Sequence, residues 1–263
     1  MIKSLTSLRL VCLLLFGSSV LAQQTKQKPP VQETKAAVQK RDKTKFFGKK
    51  PLPFSNTAHT FAGPMNKIGR DGIQCDLPAA VSGKDGKALI SYLEWDGKTD
   101  RLILSRKIKK GFQQVSADVA KGVLHKPAIA IDGKGTAWIF WSETHGDTTV
   151  DLKARSWSAS KGFGSPLTLA DSDAAEAFVV AGTDSNGRVW ASWQSFRAGE
   201  ADIYARFLDP KSGKWSKEIA VATQQGGDWE PSIAFDQKGQ AWIVYDSSRG
   251  NEFNLNLARV NDQ

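Results

Sequence analysis

His125–Glu143 reads HKPAIAIDGKGTAWIFWSE. Two apolar runs, Ala128–Ile131 and Ala137–Ser142, flank the turn Asp132-Gly-Lys-Gly135. An aspartate can bond its own backbone at the head of a turn, and a glycine accepts positive φ at its end. Asp-x-x-Gly between β-branched and aromatic runs therefore predicts a hairpin. The pattern recurs as Glu176–Ser195, EAFVVAGTDSNGRVWASWQS, as Glu230–Ser247, EPSIAFDQKGQAWIVYDS, and more loosely as Leu77–Glu94, LPAAVSGKDGKALISYLE.

The repeat keeps its register outward from each turn. The turn glycines Gly86, Gly135, Gly187 and Gly239 are 49, 52 and 52 residues apart. Three residues beyond them stand Leu89, Trp138, Trp190 and Trp242; six beyond stand Tyr92, Trp141, Trp193 and Tyr245. A third strand ending in a small residue and arginine follows each hairpin: Ser105-Arg106, Ala154-Arg155, Ala205-Arg206 and Ala258-Arg259. In the first three units a fourth segment follows, at Phe112–Val115, Phe163–Leu169 and Trp215–Val221. Four strands per unit at a period near fifty predict an all-β propeller of four four-stranded blades, with units starting near 77, 125, 176 and 229. The fourth unit ends after its third strand. Phe46–Phe54, FFGKKPLPF, resembles Gly162–Leu169, GFGSPLTL, and is expected to supply the missing outer strand and close the ring. A plain tail, or two chains forming a larger ring, are the alternatives.

The remaining segments read differently. Met1–Ala22 has Lys3 and Arg9, the apolar run Leu10–Phe16 and small residues before Ala22, a secretory signal pattern too short to span a membrane. Gln23–Lys45 is Lys-rich and nearly free of large apolar residues, the composition of a disordered linker. Of 36 basic and 27 acidic residues, 11 and 2 lie in Met1–Lys50, which leaves 25 of each in the repeat region. The net charge of +9 thus belongs to the N-terminal arm, which argues against a nucleic-acid-binding domain. A mature exported chain would keep Cys75 of the two cysteines and form no internal disulfide. Residues 46–263 are expected to form the propeller, secreted or periplasmic and without a membrane span.

Some residues resemble known repeats. Ser195-Phe-Arg-Ala-Gly-Glu-Ala-Asp-Ile-Tyr204 resembles the Ser-x-Arg-x-Gly…Ile-Tyr hairpin of TolB-type propellers, and Asp246-Ser-Ser-Arg-Gly250 is a shorter version. Asp132…Gly135…Trp138 is similar to the Asp-box of sialidase-like repeats, with two residues instead of one between Asp and Gly. The resemblance spans about Leu77–Val260. It implies a secreted or periplasmic relative of larger propellers, often a binding scaffold and sometimes a glycosidase.

Loops between strands two and three share a face with those entering strand one. Two residues after the second aromatic stand Glu94, Glu143, Ser195 and Ser247; four after stand Asp96, His145, Arg197 and Arg249. Asp76, His125, Glu176, Asp228 and Glu230 flank the same face, and Trp95, Phe196 and Trp229 could stack on a flat ligand. One reading is a bipolar mouth for a polar or acidic ligand (a glycan, a cell-wall fragment or an envelope protein), with Arg197 and Arg249 gripping carboxylate. The other is loop-tip charge that only solvates. The third-strand arginines are expected to be structural, Arg155, Arg206 and Arg259 pairing with Asp132, Asp184 and Asp236. The tryptophans Trp138, Trp141, Trp190, Trp193 and Trp242 are expected in the core. No cofactor and no metal site is indicated; His125, His145 and Glu143 form the nearest metal-like set. Catalysis has weak candidates in Glu143 and His145, so a binding module is expected, with a glycosidase or polysaccharide lyase as the alternative.

Overall fold

The computed structural model describes residues 67–83, 85–146 and 149–260. The expected signal Met1–Ala22, the expected linker Gln23–Lys45 and Phe46–Phe54 lie outside them. The described chain is all-β, sixteen strands in four consecutive units. The first unit holds β1 (Gln74–Ser82), β2 (Ala88–Trp95), β3 (Asp100–Lys107) and β4 (Phe112–Leu124). The second holds β5 (Ala128–Ile131), β6 (Ala137–His145), β7 (Thr149–Ser158), β8 (Gly162–Phe163) and β9 (Leu167–Ala170). The third holds β10 (Glu176–Thr183), β11 (Val189–Ser195), β12 (Asp202–Leu208) and β13 (Ile219–Ala222); the fourth holds β14 (Asp228–Phe235), β15 (Ala241–Arg249) and β16 (Glu252–Val260).

Each Asp-x-x-Gly turn closes identically. The Gly135 N–H donates to the Asp132 carbonyl at 3.0 Å and Asp132 N–H to the Thr136 carbonyl at 2.9 Å; Asp184/Gly187 and Asp236/Gly239 repeat both bonds. The aspartate Oδ1 accepts two further backbone N–H groups, those of Lys134 and Thr136 in the second unit. In the first unit Gly83 holds the aspartate's place and accepts from Gly86 at 2.9 Å. The second and third turns sit one on the other: Gly133 N–H donates to the Gly187 carbonyl at 3.1 Å, and a Cβ built on Gly187 would stand 2.9 Å from the Gly133 Cα.

Three apolar clusters fill the seams between successive units. Leu102, Leu104, Ile139 and Trp141 share the first, Leu152, Ala154, Leu169 and Trp193 the second, and Trp190, Ile203, Ala205 and Ile243 the third. Fully burying one such leucine or isoleucine contributes roughly 1.5–3 kcal/mol. Trp141, Trp190 and Trp193 are buried as expected from the sequence, whereas Trp138 and Trp242 are half-buried. Trp138 meets Trp215 edge-on at 5.5 Å.

One departure from the sequence reading concerns strand connection. β4 does not stop at Val115 but runs on to Leu124, where it pairs with Glu143 and Thr144 of β6. One strand thus serves as the outer edge of the first unit and enters the second, fusing both into a nine-stranded sheet beside a four-stranded and a three-stranded one. The expected closure of the ring by Phe46–Phe54 concerns residues outside those described. On the last sheet Phe253, Leu255 and Leu257 are 65%, 74% and 62% exposed.

Candidate functional site

At the turn end, the expected pairing of Arg155 with Asp132 and of Arg206 with Asp184 is not what forms. Arg155 Nε donates to the Gly164 carbonyl at 2.8 Å and Nη1 to the Val119 carbonyl at 2.9 Å. Arg206 does the same to the carbonyls of Ser216 (2.8 Å) and Leu169 (2.6 Å). Each ties its strand to its own outer strand and to that of the preceding unit. The aspartates are occupied elsewhere: Asp184 Oδ2 accepts from Arg188 Nε at 2.5 Å and Trp190 Nε1 at 3.0 Å, and Asp236 Oδ1 accepts the N–H groups of Lys238 and Gln240. Nor are the four arginines equivalent. Arg106 and Arg259 stand opposite Leu89 and Trp242, but Arg155 and Arg206 stand opposite Ile139 and Ala191, one residue further on and therefore on the other sheet face. A cleft of about 580 Å³ opens at this end between β1, β5 and β10, far from the charged cluster described next.

At the loop end, the inner strands carry a repeated distortion. Leu77, Phe178 and Glu230 have φ of 49°, 55° and 49°, each within a register shift of its strand against the next. Non-glycine residues in this region cost about 1–3 kcal/mol, and such strain concentrates at functional sites. The Glu230 N–H freed by its bulge donates across the seam to Oε1 of buried Gln194 at 3.1 Å.

Two residues before these bulges, Glu176 and Asp228 turn inward and are fully buried. Glu176 accepts from Ser172 Oγ (2.5 Å), Trp193 Nε1 (2.5 Å), Ser195 Oγ (3.0 Å) and Arg197 Nη2 (2.9 Å). Arg197 also binds Glu218 at 2.6 Å and lies over the Tyr204 ring at 4.3 Å. Burial works against its charge, but the bond to Glu218 and the charge of Glu176 prevail and hold its pKa above the ordinary value. Asp228 receives Arg249 Nη2 on both oxygens at 3.0 Å. The two arginines expected to face a ligand are thus each clamped on a carboxylate of their own unit. Their register matches as expected; their partners were not foreseen.

Asp202 completes this seam between the third and fourth units. It is 4% exposed, and burial, with the charges of Asp228 and Glu200, raises its pKa. The Asp228 N–H donates to the Ala201 carbonyl at 2.6 Å, which binds the two segments together. Three buried carboxylates (Glu176, Asp202 and Asp228) therefore face two guanidiniums here.

The other sequence candidates are dispersed. Buried Glu94 is held by Arg70 at 2.5 Å, outside the repeat, and Glu143 accepts from Trp141 Nε1 at 3.0 Å. His145 pairs with Asp151 at 2.9 Å, which Lys153 also binds at 2.8 Å; His125 Nε2 meets Thr144 Oγ1 at 2.8 Å. Asp96 caps its own turn through the N–H groups of Lys98 and Thr99, both at 3.0 Å. Trp95, Phe196 and Trp229 are half-buried, and Trp229 stacks on Phe253 at 6.4 Å. Among the described residues no group of three acidic, histidine or cysteine side chains is placed to hold a metal ion. No helix among them is long and apolar enough to cross a membrane. The sequence reading missed Asp151 and Asp202, whose signal was an aspartate near the start of the third strand in the second and third units, opposite Glu143 and Ser195.

This arrangement of units is a sialidase-like β-propeller fold. No family model and no curated protein matches the sequence. Solved structures do. A Dyadobacter fermentans protein of unknown function aligns with a TM-score of 0.55 at 13% identity, over 73% of this chain and 67% of that one. A Hadza microbial sialidase aligns at 0.53 and 15% identity, over 71% of this chain and 46% of that one. An endo-arabinase from Bacteroides thetaiotaomicron aligns at 0.51 and 14% identity, over 75% and 80%. The chain thus spans about half the length of the sialidase.

Proposed function

We propose that this chain is an exported, four-bladed propeller module that binds a polyhydroxylated ligand of the glycan class at the loop end of its third and fourth units. The observation that carries this reading is the seam of Glu176, Asp202 and Asp228 with Arg197 and Arg249, held on strained bulges. Arg197 and Arg249, with side chains 25% and 34% exposed, can donate to ligand hydroxyls, while Glu176 and Asp228 lie buried beneath them. The charges of both arginines are already met by Glu176, Glu218 and Asp228, so a neutral glycan fits better than the acidic ligand that free arginines would favour. Neighbours that are by name a sialidase and an endo-arabinase support a carbohydrate-related role. An array of neutral and acidic glycans probed with the full chain tests this. Neutral glycans should bind, and Asp202→Asn should weaken binding; retention by acidic glycans alone would overturn it.

A second reading, a glycan-cleaving enzyme, is favoured by one feature. Asp202, buried beside Asp228 with a raised pKa, has the environment of a general acid. Release of reducing ends from bound glycans, lost in Asp202→Asn, would select it over simple binding.

A further inference from the structure

The last sheet exposes a surface that the other units bury. Leu102, Leu152, Ile203 and Leu255 stand at one register, opposite Leu93, Ser142, Gln194 and Asp246. The first three are 0% exposed and Leu255 is 74% exposed. Leu104, Ala154, Ala205 and Leu257 form the next such set, opposite Ser91, Phe140, Ser192 and Val244; three are 0% exposed and Leu257 is 62% exposed. With Phe253 at 65% and Val244 at 36%, β16 presents a seam-forming face with no following unit among the described residues. Contiguous exposed apolar patches of this kind mark interaction surfaces.

We propose that this face packs on the same face of a second copy of the chain, about a two-fold axis. Head-to-tail assembly would need the backward face of the first unit, but Tyr92 and Ile103 there are already 5% and 0% exposed. Self-packing needs no other surface, since an isologous interface uses one patch twice. Charge fits the antiparallel arrangement. The loop end of the sheet carries exposed Glu230, Asp246 and Glu252, and the turn end exposed Lys238 and Arg259 against one exposed aspartate, Asp236, so the first is acidic and the second net basic. A two-fold with antiparallel strands sets the acidic end of one copy against the basic end of the other, and Leu255 against Leu257.

Light scattering and sedimentation of the full chain across the micromolar range test this. A dimer is expected, and Leu255→Asp should weaken association at least about a hundredfold by placing a charge in the apolar strip. Its melting should hardly change at a dilution where both proteins are monomeric, because the side chain is exposed in one copy. Asp246→Lys and Arg259→Glu should each weaken self-association, and mixing the two variants should restore it. A parent monomeric throughout, or a dimer indifferent to Leu255→Asp, overturns the proposal. In a Cys75→Ser background, labelling of Leu255→Cys then tells what the face does instead. A shielded thiol on a monomer gives it to another segment of the same chain, and a freely reactive one leaves it uncovered; both refute the second copy.

Discussion

Arg197→Ala separates a binding residue from a structural one. A guanidinium that only faced a ligand could be removed with little effect on stability. Here it neutralises Glu176, which is fully buried. Removing one partner of a buried ion pair costs about 3–5 kcal/mol. Two features reduce that figure. Glu176 keeps Ser172, Ser195 and Trp193 as donors, and the Arg197 side chain is 25% exposed, so water can replace part of it. The expected loss is about 1.5–3 kcal/mol, or roughly 4–10 °C in Tm for an array of this size. Thermal melts at neutral pH measure it. Arg197→Ala with Glu176→Gln should recover much of the loss, because the amide leaves no charge in the vacated site. A single variant that melts within about 1 °C of the parent, or a double variant no better than the single, would refute this account of the seam.

Other outcomes follow from the same contacts. Gly187→Ala should cost at least about 2 kcal/mol in chemical denaturation, since Gly187 has φ of 78° and its Cβ would press on the Gly133 Cα. Arg155→Ala should destabilise through the lost bonds to the Gly164 and Val119 carbonyls, whereas Asp132→Asn, which keeps an Oδ1 acceptor, should act independently of it in a double-mutant cycle. Burial lowers the pKa of His125 against a smaller opposing effect of Asp100, so the fold favours its neutral form. That contribution is full above the ordinary value of 6.5 and is lost as pH falls toward the folded value; His125→Gln should flatten the decline of Tm as pH falls below 6.5. For Asp202 the sign reverses. Its raised pKa makes the ionised form a burden, absent below the ordinary 3.8 and growing as pH rises through the folded value, so Asp202→Asn should raise Tm at neutral pH and gain nothing in strong acid.

The legible part of this protein was local. An aspartate heading a turn and a glycine with positive φ at its end act within five residues, so the period of Gly135, Gly187 and Gly239 disclosed the hairpins and the seam-filling Trp190 and Trp193 directly. The matching register of Arg197 and Arg249 was legible for the same reason. What these guanidiniums touch was not. Glu176 and Asp228 turn toward them only because a residue with positive φ interrupts each inner strand, and neither Phe178 nor Glu230 is of a type that announces such a bulge. The third-strand arginines looked alike in sequence, yet a one-residue difference in pairing set Arg155 and Arg206 on the opposite face from Arg106 and Arg259. Leu255 carries the same apolar pattern as Leu102 and Leu152, and whether it is buried depends on the presence of a following sheet. Sequence by itself determined the repeating unit, because turns and alternation are properties of neighbouring residues. Tertiary structure decided which charges meet and which faces stay open, because register, bulges and the packing of one unit on the next are set by contacts between residues far apart in the chain.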